Sequence, residues 1–521
     1  MPDRPSGNSS AGLNEAMVKL LIEEHEGGVK PRLEKLWAYF RNPLEPVGVA
    51  GGTGGASGDR RWYRQAQEAG LPTRIVGGAR SVLLDDRGSG RREVVIENDI
   101  GWRVQAMVDF LFGRPLQLVS GASDESVRPE IERVLEAVWE ASGGVGMLQD
   151  AALLGHVFGH VDFVVRIDED ALRDSAGLDP ATVAAESIRI EPVDPRRGVP
   201  MVSASDYREL DGYVIHFERE LNEVEATGEA GDNNGAANGM RRRLFGRDRA
   251  RAASQNGFAA SGELRRKTGT VTEVFTPGEW ARYEDGERVA HETTELLGGA
   301  MPVVHVQNLS QPFVYTGFGE VEGLVPLQDE LNTRLSDRAN RVTMQSFKMY
   351  LAKRMGEGVR SVGPGEIWET DDPDATVEAF GGDGHSPSED SHIEQIREAL
   401  DKVSGVPPLA GGVVRGRIGN LSSATALRIT LLSVLSKTAR KRVTYGRGMS
   451  RVCGLILRAM DEAGVFETSE RDRVVRVGWP EAVPVDGGEE ARAASAKVAL
   501  GADRDRVLSE LGFAAGDPGI A

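Results

Sequence analysis

Two histidines have a spacing that metal-binding helices use. His156 and His160 lie four residues apart, so both side chains would share one face of a helix. However, Gly159 interrupts a helix between them, and no third ligand stands out nearby. We therefore expect both histidines to be packing residues, and we expect no metal site.

Carboxylates and glycines supply two further candidates for chemistry. Asp371, Asp372 and Asp374 form a cluster that could hold a divalent cation, but aspartate beside proline is also ordinary turn chemistry. The glycine-rich run 51–58 lacks the Gly-Lys-Ser/Thr ending of a phosphate-binding loop, and the chain has no His-Glu-x-x-His or Cys-x-x-Cys sequence. We predict that the chain is not an enzyme and takes no cofactor.

Arginines in flexible surroundings are well suited to contact nucleic acid. Arg415 and Arg417 lie in a stretch, residues 405–420, whose glycines and prolines predict a mobile loop. A flexible arginine can contact a phosphate through an electrostatic, sequence-independent interaction that salt weakens. A second arginine-rich run lies within residues 226–263, which are too poor in large apolar residues to order themselves. That run could contact nucleic acid or an acidic partner, or it could be a solvated excursion.

The overall charge argues against a protein that grips DNA tightly. The chain has 62 Lys and Arg against 80 Asp and Glu, a net charge of −18, whereas tight DNA binders are usually basic. The charge is uneven, because residues 413–462 hold ten basic and two acidic residues. The single cysteine, Cys453, is expected to be buried and fits a reducing cytoplasm. No apolar run approaches the roughly 18 residues of a membrane span, and we expect no membrane partner.

The chain is organised around a pair of predicted helices. Apolar residues recur at spacings of three and four over Glu320 to Gln345, with Pro326 in the first turn, where proline is tolerated. A second helix with a heptad-like seam is predicted over Ser388 to Ser404. Residues 356–386, between them, contain short strands broken by Gly-Pro-Gly. The seam residues are Leu324, Leu327, Leu331, Leu335, Ile393, Ile396 and Leu400.

The remaining patterns predict a mixed α+β protein. One long helix is expected over Ser423 to Ala463, and a last helical segment over residues 489–512. Near the N-terminus, Leu13 to Asn42 is predicted to form two helical pieces broken at Gly27 and Gly28. Residues 161–167 alternate as a half-buried strand. Further helices and strands are predicted around residues 100–112, 130–140, 147–157, 188–191, 213–218, 270–275, 303–306 and 473–479.

The order of helix, strand-containing excursion, returning helix, glycine-rich loop and long helix resembles a known family. It is similar to the core of the portal proteins of tailed bacteriophages, of the siphophage head-to-tail connector type. The matching sequences are GEVEGL at 319–324, LQDELN at 327–332, SGVP at 404–407 and NLSSATAL at 420–427. A helix that runs into Phe-Gly-Arg-Pro at 112–115 also resembles the N-terminal portal wing.

The resemblance implies a fold and a division of the chain. The implied portal fold has a mixed α/β wing, two stem helices flanking a small strand-containing clip, a tunnel loop, a long wing helix and a short helical crown. The implied bounds are a disordered N-terminus at 1–12, the wing at 13–319 with a flexible insertion at 226–263, stem helix 1 at 320–345, the clip at 346–386, stem helix 2 at 387–404, the tunnel loop at 405–422, the long wing helix with a strand at 423–486 and a reduced crown at 487–521.

The resemblance also implies a function and partners. It implies a ring-shaped homo-oligomer, dodecamer-like, at a capsid vertex, through which DNA is packaged and ejected. The implied partners are the double-stranded DNA in the channel, the terminase large subunit, a head-completion adaptor protein and the major capsid protein. The implied location is the virion, after assembly in the bacterial host cytoplasm. The alternatives are another capsid or tail-connector component, or a nucleic-acid-processing enzyme, which the missing motifs disfavour.

Three groups of residues carry the implied functions. The tunnel-loop residues Val413, Val414, Arg415, Gly416 and Arg417 are expected to face DNA, although both arginines could instead pair with acidic residues of adjacent subunits. In the clip, Ile367 and Trp368 are expected either to anchor a partner or to form the clip's own small core. The helix seams are expected to pack between subunits, because a lone helix pair would leave its seam uncovered.

Overall fold

The computed structural model describes most of the chain. The described residues are 15–46, 63–76, 93–174, 177–227, 263–293, 295–346, 349–353, 373–374, 376–380, 386–412, 424–482 and 487–501. The helices of this part are α1 (Glu15–Glu24), α2 (Lys30–Arg41), α3 (Thr73–Val76), α4 (Asp99–Phe112), α5 (Arg128–Ala141), α6 (Gly144–Phe158), α7 (Glu169–Asp174), α8 (Pro180–Ser187), α9 (Val325–Ser346), α10 (Pro387–Ser404), α11 (Ala424–Thr430), α12 (Leu432–Glu462) and α13 (Gly487–Ala499).

The described strands are all paired in an antiparallel manner. They are β1 (Leu44–Pro46), β2 (Tyr63–Gln65), β3 (Gln117–Ser120), β4 (His160–Ile167), β5 (Ile188–Val193), β6 (Gly198–Val202), β7 (Leu210–Thr227), β8 (Glu263–Thr276), β9 (Glu279–Glu284), β10 (Glu287–Thr293), β11 (Val303–Gln307), β12 (Met349–Lys353), β13 (Thr376–Phe380) and β14 (Val475–Gly478). The larger sheets have the orders β10-β9-β8-β7-β6 and β11-β4-β5, and the pairs are β1-β2, β12-β13 and β14-β3. The chain is therefore α+β, as predicted.

The largest hydrophobic cluster is built on the C-terminal half of α12. Met449, Val452 and Ile456 are fully buried there, together with Ile131 of α5 and Phe163 of β4. Burial of apolar side chains at roughly 25 cal/mol per Å² is the main favourable term in folding. Helix α12 is thus central to the largest hydrophobic core, which explains its continuous apolar side.

Strand β4 differs from the half-buried strand that its alternation predicts. Val161, Phe163 and Val165 face the main cluster, whereas Val164 joins a second cluster with Tyr213 and residues of β7, β8 and β11. Since β4 is the central strand of its sheet and both faces are covered, its alternation reports two cores and not one core and solvent.

Two predicted helix boundaries are also corrected. Gly27 and Gly28 do not break the N-terminal helix, because a π-helical turn, His25–Val29, carries the chain directly from α1 into α2. The predicted long helix is divided at Leu431, between α11 and α12. Hydrogen bonds from Leu431 N to Leu427 O and from Leu435 N to Leu431 O continue across this point. Helical hydrogen bonding therefore continues through the division at Leu431.

The expected clip and crown are described only in part. β12 and β13 pair from Met349↔Phe380 to Lys353↔Thr376, directly beyond α9 and before α10. The strands predicted near residues 359–370, and the C-terminal part of the predicted crown helix, lie outside the described residues. No helix within the described ranges is both long enough and apolar enough to cross a membrane.

Candidate functional site

The two helices that form the expected stem, α9 and α10, pack against each other. Leu331 of α9 and Leu400 of α10 are fully buried, and Ile393 and Ile396 are nearly so. Leu324, in the 3-10 turn Glu322–Leu324 that leads into α9, joins the same cluster. Ion pairs flank the seam, with Arg338 on Asp390 at 3.2 Å and Arg341 on Glu389. The sequence-predicted seam residues are therefore brought together, with Leu327 and Leu335 partly buried at the edge.

The neighbours of this seam differ from those expected. We predicted that adjacent subunits would cover it, but the chain covers it with its own helix α2, through Leu33, Leu36 and Phe40, and with Ile100 and Val104 of α4. The physical reason is that α2 also carries an apolar face, which must be buried against another apolar surface. Other surfaces of the pair are exposed, such as those at Val342 and Val403.

A second face of α9 holds a stretch of chain by side-chain to backbone hydrogen bonds. Residues 93–98 have no regular secondary structure and run along the helix. The side-chain oxygens of Asn340, Ser336, Asn332 and Gln328 accept, in turn, from the backbone nitrogens of Glu93 (2.6 Å), Val95 (3.0 Å), Glu97 (3.0 Å) and Asp99 (3.1 Å). We call these four α9 residues the polar ladder.

The polar ladder forms because the spacing of its side chains along α9 matches the spacing of the backbone groups that they bind. Its members are four residues apart on the helix, a rise of about 6 Å, and their partners are two residues apart on the strap of chain, about 6.6 Å when it is extended. Most members also donate to a carbonyl: Gln328 Nε2 to Glu97 O at 2.5 Å, Ser336 Oγ to Val95 O at 3.2 Å and Asn340 Nδ2 to Glu93 O at 3.0 Å. Backbone groups that would otherwise lack partners are thereby satisfied.

The end of the polar ladder nearest the start of α9 is buried and hydrogen-bonded to Gln67. Gln328 and Asn332 have no exposed surface. Asn332 Nδ2 donates to Gln67 Oε1 at 2.9 Å, and Gln67 Nε2 in turn donates to Tyr39 O at 2.7 Å. The sequence interpretation missed these residues, because it weighed only the apolar and charged positions of α9. The signal was present as uncharged polar residues at every fourth position.

A cluster of buried charges joins the start of α9 to the long helix. Glu320, just before α9, accepts from Lys441 Nζ at 2.6 Å and from Lys437, both on α12. Lys437 Nζ also donates to Ser404 O at 2.7 Å, at the end of α10, and Lys441 Nζ lies 3.2 Å from His156 Nε2. One helix of the wing thus holds the bases of both α9 and α10. We call Glu320, Lys437, Lys441 and His156 the charged junction.

The electrostatics of the charged junction follow from two ammonium groups sharing one carboxylate. Burial alone would raise the pKa of Glu320, but Lys441 and Lys437 outweigh it and lower that pKa to about 2. Burial lowers the pKa of Lys441 to about 8, since Glu320 compensates it only in part. Burial also lowers the pKa of His156 well below its usual value. The carboxylate of Glu320 therefore stays ionised at neutral pH.

A buried arginine holds the beginning of the expected tunnel loop. Arg103 of α4 is 1% exposed and pairs with Asp99 at 2.8 Å and with Asp401 of α10 at 2.5 Å. It also donates to Ser404 Oγ at 2.9 Å and to Val406 O at 2.6 Å. Such a fully bonded guanidinium fixes the point at which the chain leaves α10.

Several predicted site residues lie outside the described part of the chain. These are the tunnel-loop residues Val413, Val414, Arg415, Gly416 and Arg417 and the clip residues Ile367 and Trp368. The structure does describe the last residue before the loop, Gly412, and the residues that re-enter α11 from Ala424.

Where the structure describes them, the residues considered for catalysis or metal binding lie in buried, packed surroundings. His156 and His160 are buried, at 0% and 6% exposure, and burial lowers the pKa of His160 to about 4. Cys453 is buried as expected, and burial raises the pKa of its thiol to about 12. Over the described ranges, no three His, Cys, Asp or Glu side chains converge on a point that could hold a metal ion.

Comparison with known protein families assigns the C-terminal half of this architecture. Residues 255–508 match the model of the family described as "Phage portal protein, SPP1 Gp6-like". The matched stretch includes β8, α9, α10 and α12 and extends past α13. This part of the chain is therefore similar to the SPP1-like phage portal proteins, and the match supports a portal or connector role. The matched family is structural and non-enzymatic, which supports the expectation that the chain is not an enzyme.

Two solved structures share part of the shape. "Neck of empty GTA particle computed with C6 symmetry" is 11% identical and has a TM-score of 0.43, with 80% of this chain and 90% of that chain covered. "Virion of native gene transfer agent (GTA) particle" is 12% identical and has a TM-score of 0.39, with 80% and 89% covered. A sequence search of curated proteins found no match.

Proposed function

We propose that this protein forms a ring-shaped homo-oligomer, a dodecamer, that serves as the DNA channel at a capsid vertex. The observation that carries the proposal is the family match over residues 255–508, which spans the paired helices, the glycine-rich loop and the long helix. The ring would admit DNA during packaging and release it during ejection. It would contact the major capsid protein in the virion, after assembly in the bacterial host cytoplasm.

The charged junction and Arg103 support a channel whose helices are held rigidly where the expected tunnel loop begins. The chain leaves α10 at Ser404 to Val406, where both Lys437 and Arg103 bind backbone carbonyls. Ser433 Oγ, just after the chain enters α12, donates to Gly405 O at 2.9 Å. The start of the expected tunnel loop is therefore tied to the first turn of α12. A loop whose start is fixed can move further along without displacing α10.

We infer that the middle of this loop contacts the DNA. Arg415 and Arg417 would each touch phosphates weakly, and two arginines per subunit around a ring would give many weak contacts and few strong ones. Many weak contacts allow a DNA duplex to slide through the channel. This distribution also fits the net charge of −18, because an acidic channel with a few basic groups does not hold DNA firmly.

We infer that the tip beyond β12 and β13 receives the terminase large subunit and later the head-completion adaptor. Strands β12 and β13 pair with each other, and along the chain they follow α9 and precede α10. Ile367 and Trp368 are the apolar residues of the segment between these strands that are best suited to anchor a partner. Trp368→Ala is expected to abolish terminase binding while rings remain; loss of the rings would assign Trp368 to the clip's own core.

End-on electron microscopy with native mass spectrometry tests the proposed function. The expected result for purified protein is a closed ring with a central hole and a mass of twelve subunits. A closed ring with another subunit number would correct the stoichiometry alone. A small particle with no central hole, at concentrations at which capsid proteins assemble, would contradict the channel function.

A further inference from the structure

The loop between β11 and α9 presents an aromatic side chain to solvent. Within residues 308–319, Phe313 is 84% exposed, Phe318 is 55% exposed and Val314 is 40% exposed. Phe313 also has a φ of +66°, in the left-handed region. A bulky residue adopts this conformation only at an energetic cost, and such residues are concentrated at functional sites. The contacts within the described part of the chain leave the Phe313 side chain mostly uncovered.

The loop is nevertheless held in one shape. The side chain of Gln307 donates to Gln311 O at 3.1 Å and to Val314 O at 2.8 Å, and accepts from Gln311 N at 3.0 Å. Phe318 N donates to Leu309 O at 3.0 Å, which closes the loop at its base. The backbone around Phe313 is therefore fixed from both sides.

The inner side of the loop is seated on the turn between α6 and β4. A Cβ atom at Gly317 would lie 2.5 Å from Leu309 O and 2.7 Å from Gly159 O, so only glycine permits this close approach. Tyr315 points inward, donates to the buried Asp162 at 2.7 Å and stacks on His305 with ring centroids 3.8 Å apart. Since the loop is anchored by Tyr315, Phe313 is presented outward on a preorganised frame.

We propose that Phe313 is an anchor by which one copy of this chain docks on the adjacent copy in the ring. This inference rests on the proposed function. A preorganised aromatic side chain loses little conformational entropy on binding, and such residues dominate the energy of interfaces. The ring of Tyr207 lies 5.9 Å from that of Phe313 and adds a second aromatic side chain to the surface.

The charge pattern points to a second copy as the occupant. No Asp, Glu, Lys or Arg occurs between Leu296 and Gly319, although 27% of the chain is charged. Copies with a net charge of −18 repel each other, so they approach at least cost where charge is sparse; beside Tyr207, Arg208 is already paired with Asp206 at 3.0 Å. DNA would require unpaired basic residues at this place. The loop also continues within a few residues into the turn Glu322–Leu324 and α9, so this surface adjoins the stem.

Replacement by glycine separates the role of the side chain from that of the fold. Glycine adopts a φ of +66° readily, so Phe313→Gly is expected to leave the thermal stability of the dissociated subunit unchanged or to raise it. The same variant is expected to raise the concentration for half-assembly at least about 10-fold, because it removes a buried aromatic contact. Leu178→Gly, which removes another exposed apolar side chain (64% exposed), is the matched control and should assemble like the wild type.

Native mass spectrometry over a dilution series decides between the outcomes. If the wild type forms rings and Phe313→Gly forms them at the same concentrations, the inference is overturned and the proposed function stands. Unchanged rings with weakened binding of DNA or of another particle protein would assign the loop to that partner, and would also overturn the inference. A wild type that stays monomeric at every concentration would contradict both.

Discussion

Glu320 and Lys441 form a buried ion pair between the base of α9 and the middle of α12. Lys441 Nζ lies 2.6 Å from Glu320 Oε1, and the two side chains are 0% and 4% exposed. Glu320 also pairs with Lys437, which binds the last carbonyl of α10. A single carboxylate therefore ties the start of α9 to α12 directly and to the end of α10 through Lys437.

Neutralising this carboxylate is expected to destabilise the protein strongly. Glu320→Gln leaves Lys441 buried without a counter-ion, and removing one partner of a buried pair costs about 3–5 kcal/mol. Urea unfolding at one protein concentration measures the change in the free energy of unfolding. Glu322→Gln is the matched control, because Glu322 pairs with Arg32 at the surface, where 58% and 51% of the side chains are exposed, and should cost less than about 1 kcal/mol. Equal effects of the two variants would contradict the role of the junction.

The charged junction also predicts a pH dependence. The pKa of Lys441 is about 8 in the folded protein and 10.5 in its reference state. Between these values the unfolded chain holds a proton that the folded chain has released, so stability should rise with pH. We expect wild type to gain on the order of 1–3 kcal/mol relative to Lys441→Met across this range.

The comparison with Lys441→Met removes the titrations that both proteins share, including those of buried tyrosines. Glu320, Lys437 and His156 face the Lys441 ammonium group and remain in both proteins. Urea unfolding of both proteins at intervals from pH 7 to pH 10.5 provides the measurement. A difference that stays constant with pH would show that Lys441 keeps its ordinary pKa.

The polar ladder predicts a gradient of effects along α9. Asn332→Ala leaves Glu97 N, Gln67 Oε1 and Gln328 Nε2 without that partner in a buried site, and should cost about 2–4 kcal/mol. Asn340→Ala, at the more exposed end, should cost under about 1 kcal/mol because water replaces the lost partner. Hydrogen exchange at the amide of Glu97 should accelerate in the first variant. Equal exchange in both variants would mean that residues 93–98 are held by other contacts.

A charge introduced into the apolar seam between α9 and α10 is expected to prevent folding of the subunit. Leu331 has no exposed surface within one chain, so Leu331→Asp buries a carboxylate without a partner and should prevent accumulation of soluble protein. Val403→Asp, at a position that is 55% exposed on α10, should remain folded. Circular dichroism of the soluble fraction distinguishes the two. A folded but monomeric Leu331→Asp would restore the earlier expectation that subunits cover this seam.

The expected tunnel loop predicts a defect in DNA retention. Arg415→Ala combined with Arg417→Ala should assemble into normal rings but package or retain less DNA, with the deficit largest at low salt, because the lost contacts are electrostatic and salt already weakens them in the wild type. Arg173→Ala removes an exposed arginine that pairs with Glu169 on α7 and serves as the control. Normal rings with wild-type genome retention would leave the two arginines with a structural role.

The sequence by itself determined the elements of this protein, because helical and strand periodicities are local. The spacing of Leu324, Leu331, Ile393 and Leu400 predicted both α9 and α10, which the structure contains with bounds shifted by a few residues. The order of these elements, together with four short matching sequences, also led to the family that the comparison shows.

Only the tertiary structure decided which partners these elements meet. Periodicity identifies a buried face but not the surface that covers it, so the seam assigned to neighbouring subunits was covered by α2 of the same chain. In the same way, Glu320 and Lys441 are 121 residues apart and become an ion pair only when α12 crosses the base of α9. Phe313 gives no signal in the sequence either, since its exposure and positive φ result from hydrogen bonds that fold the loop around it.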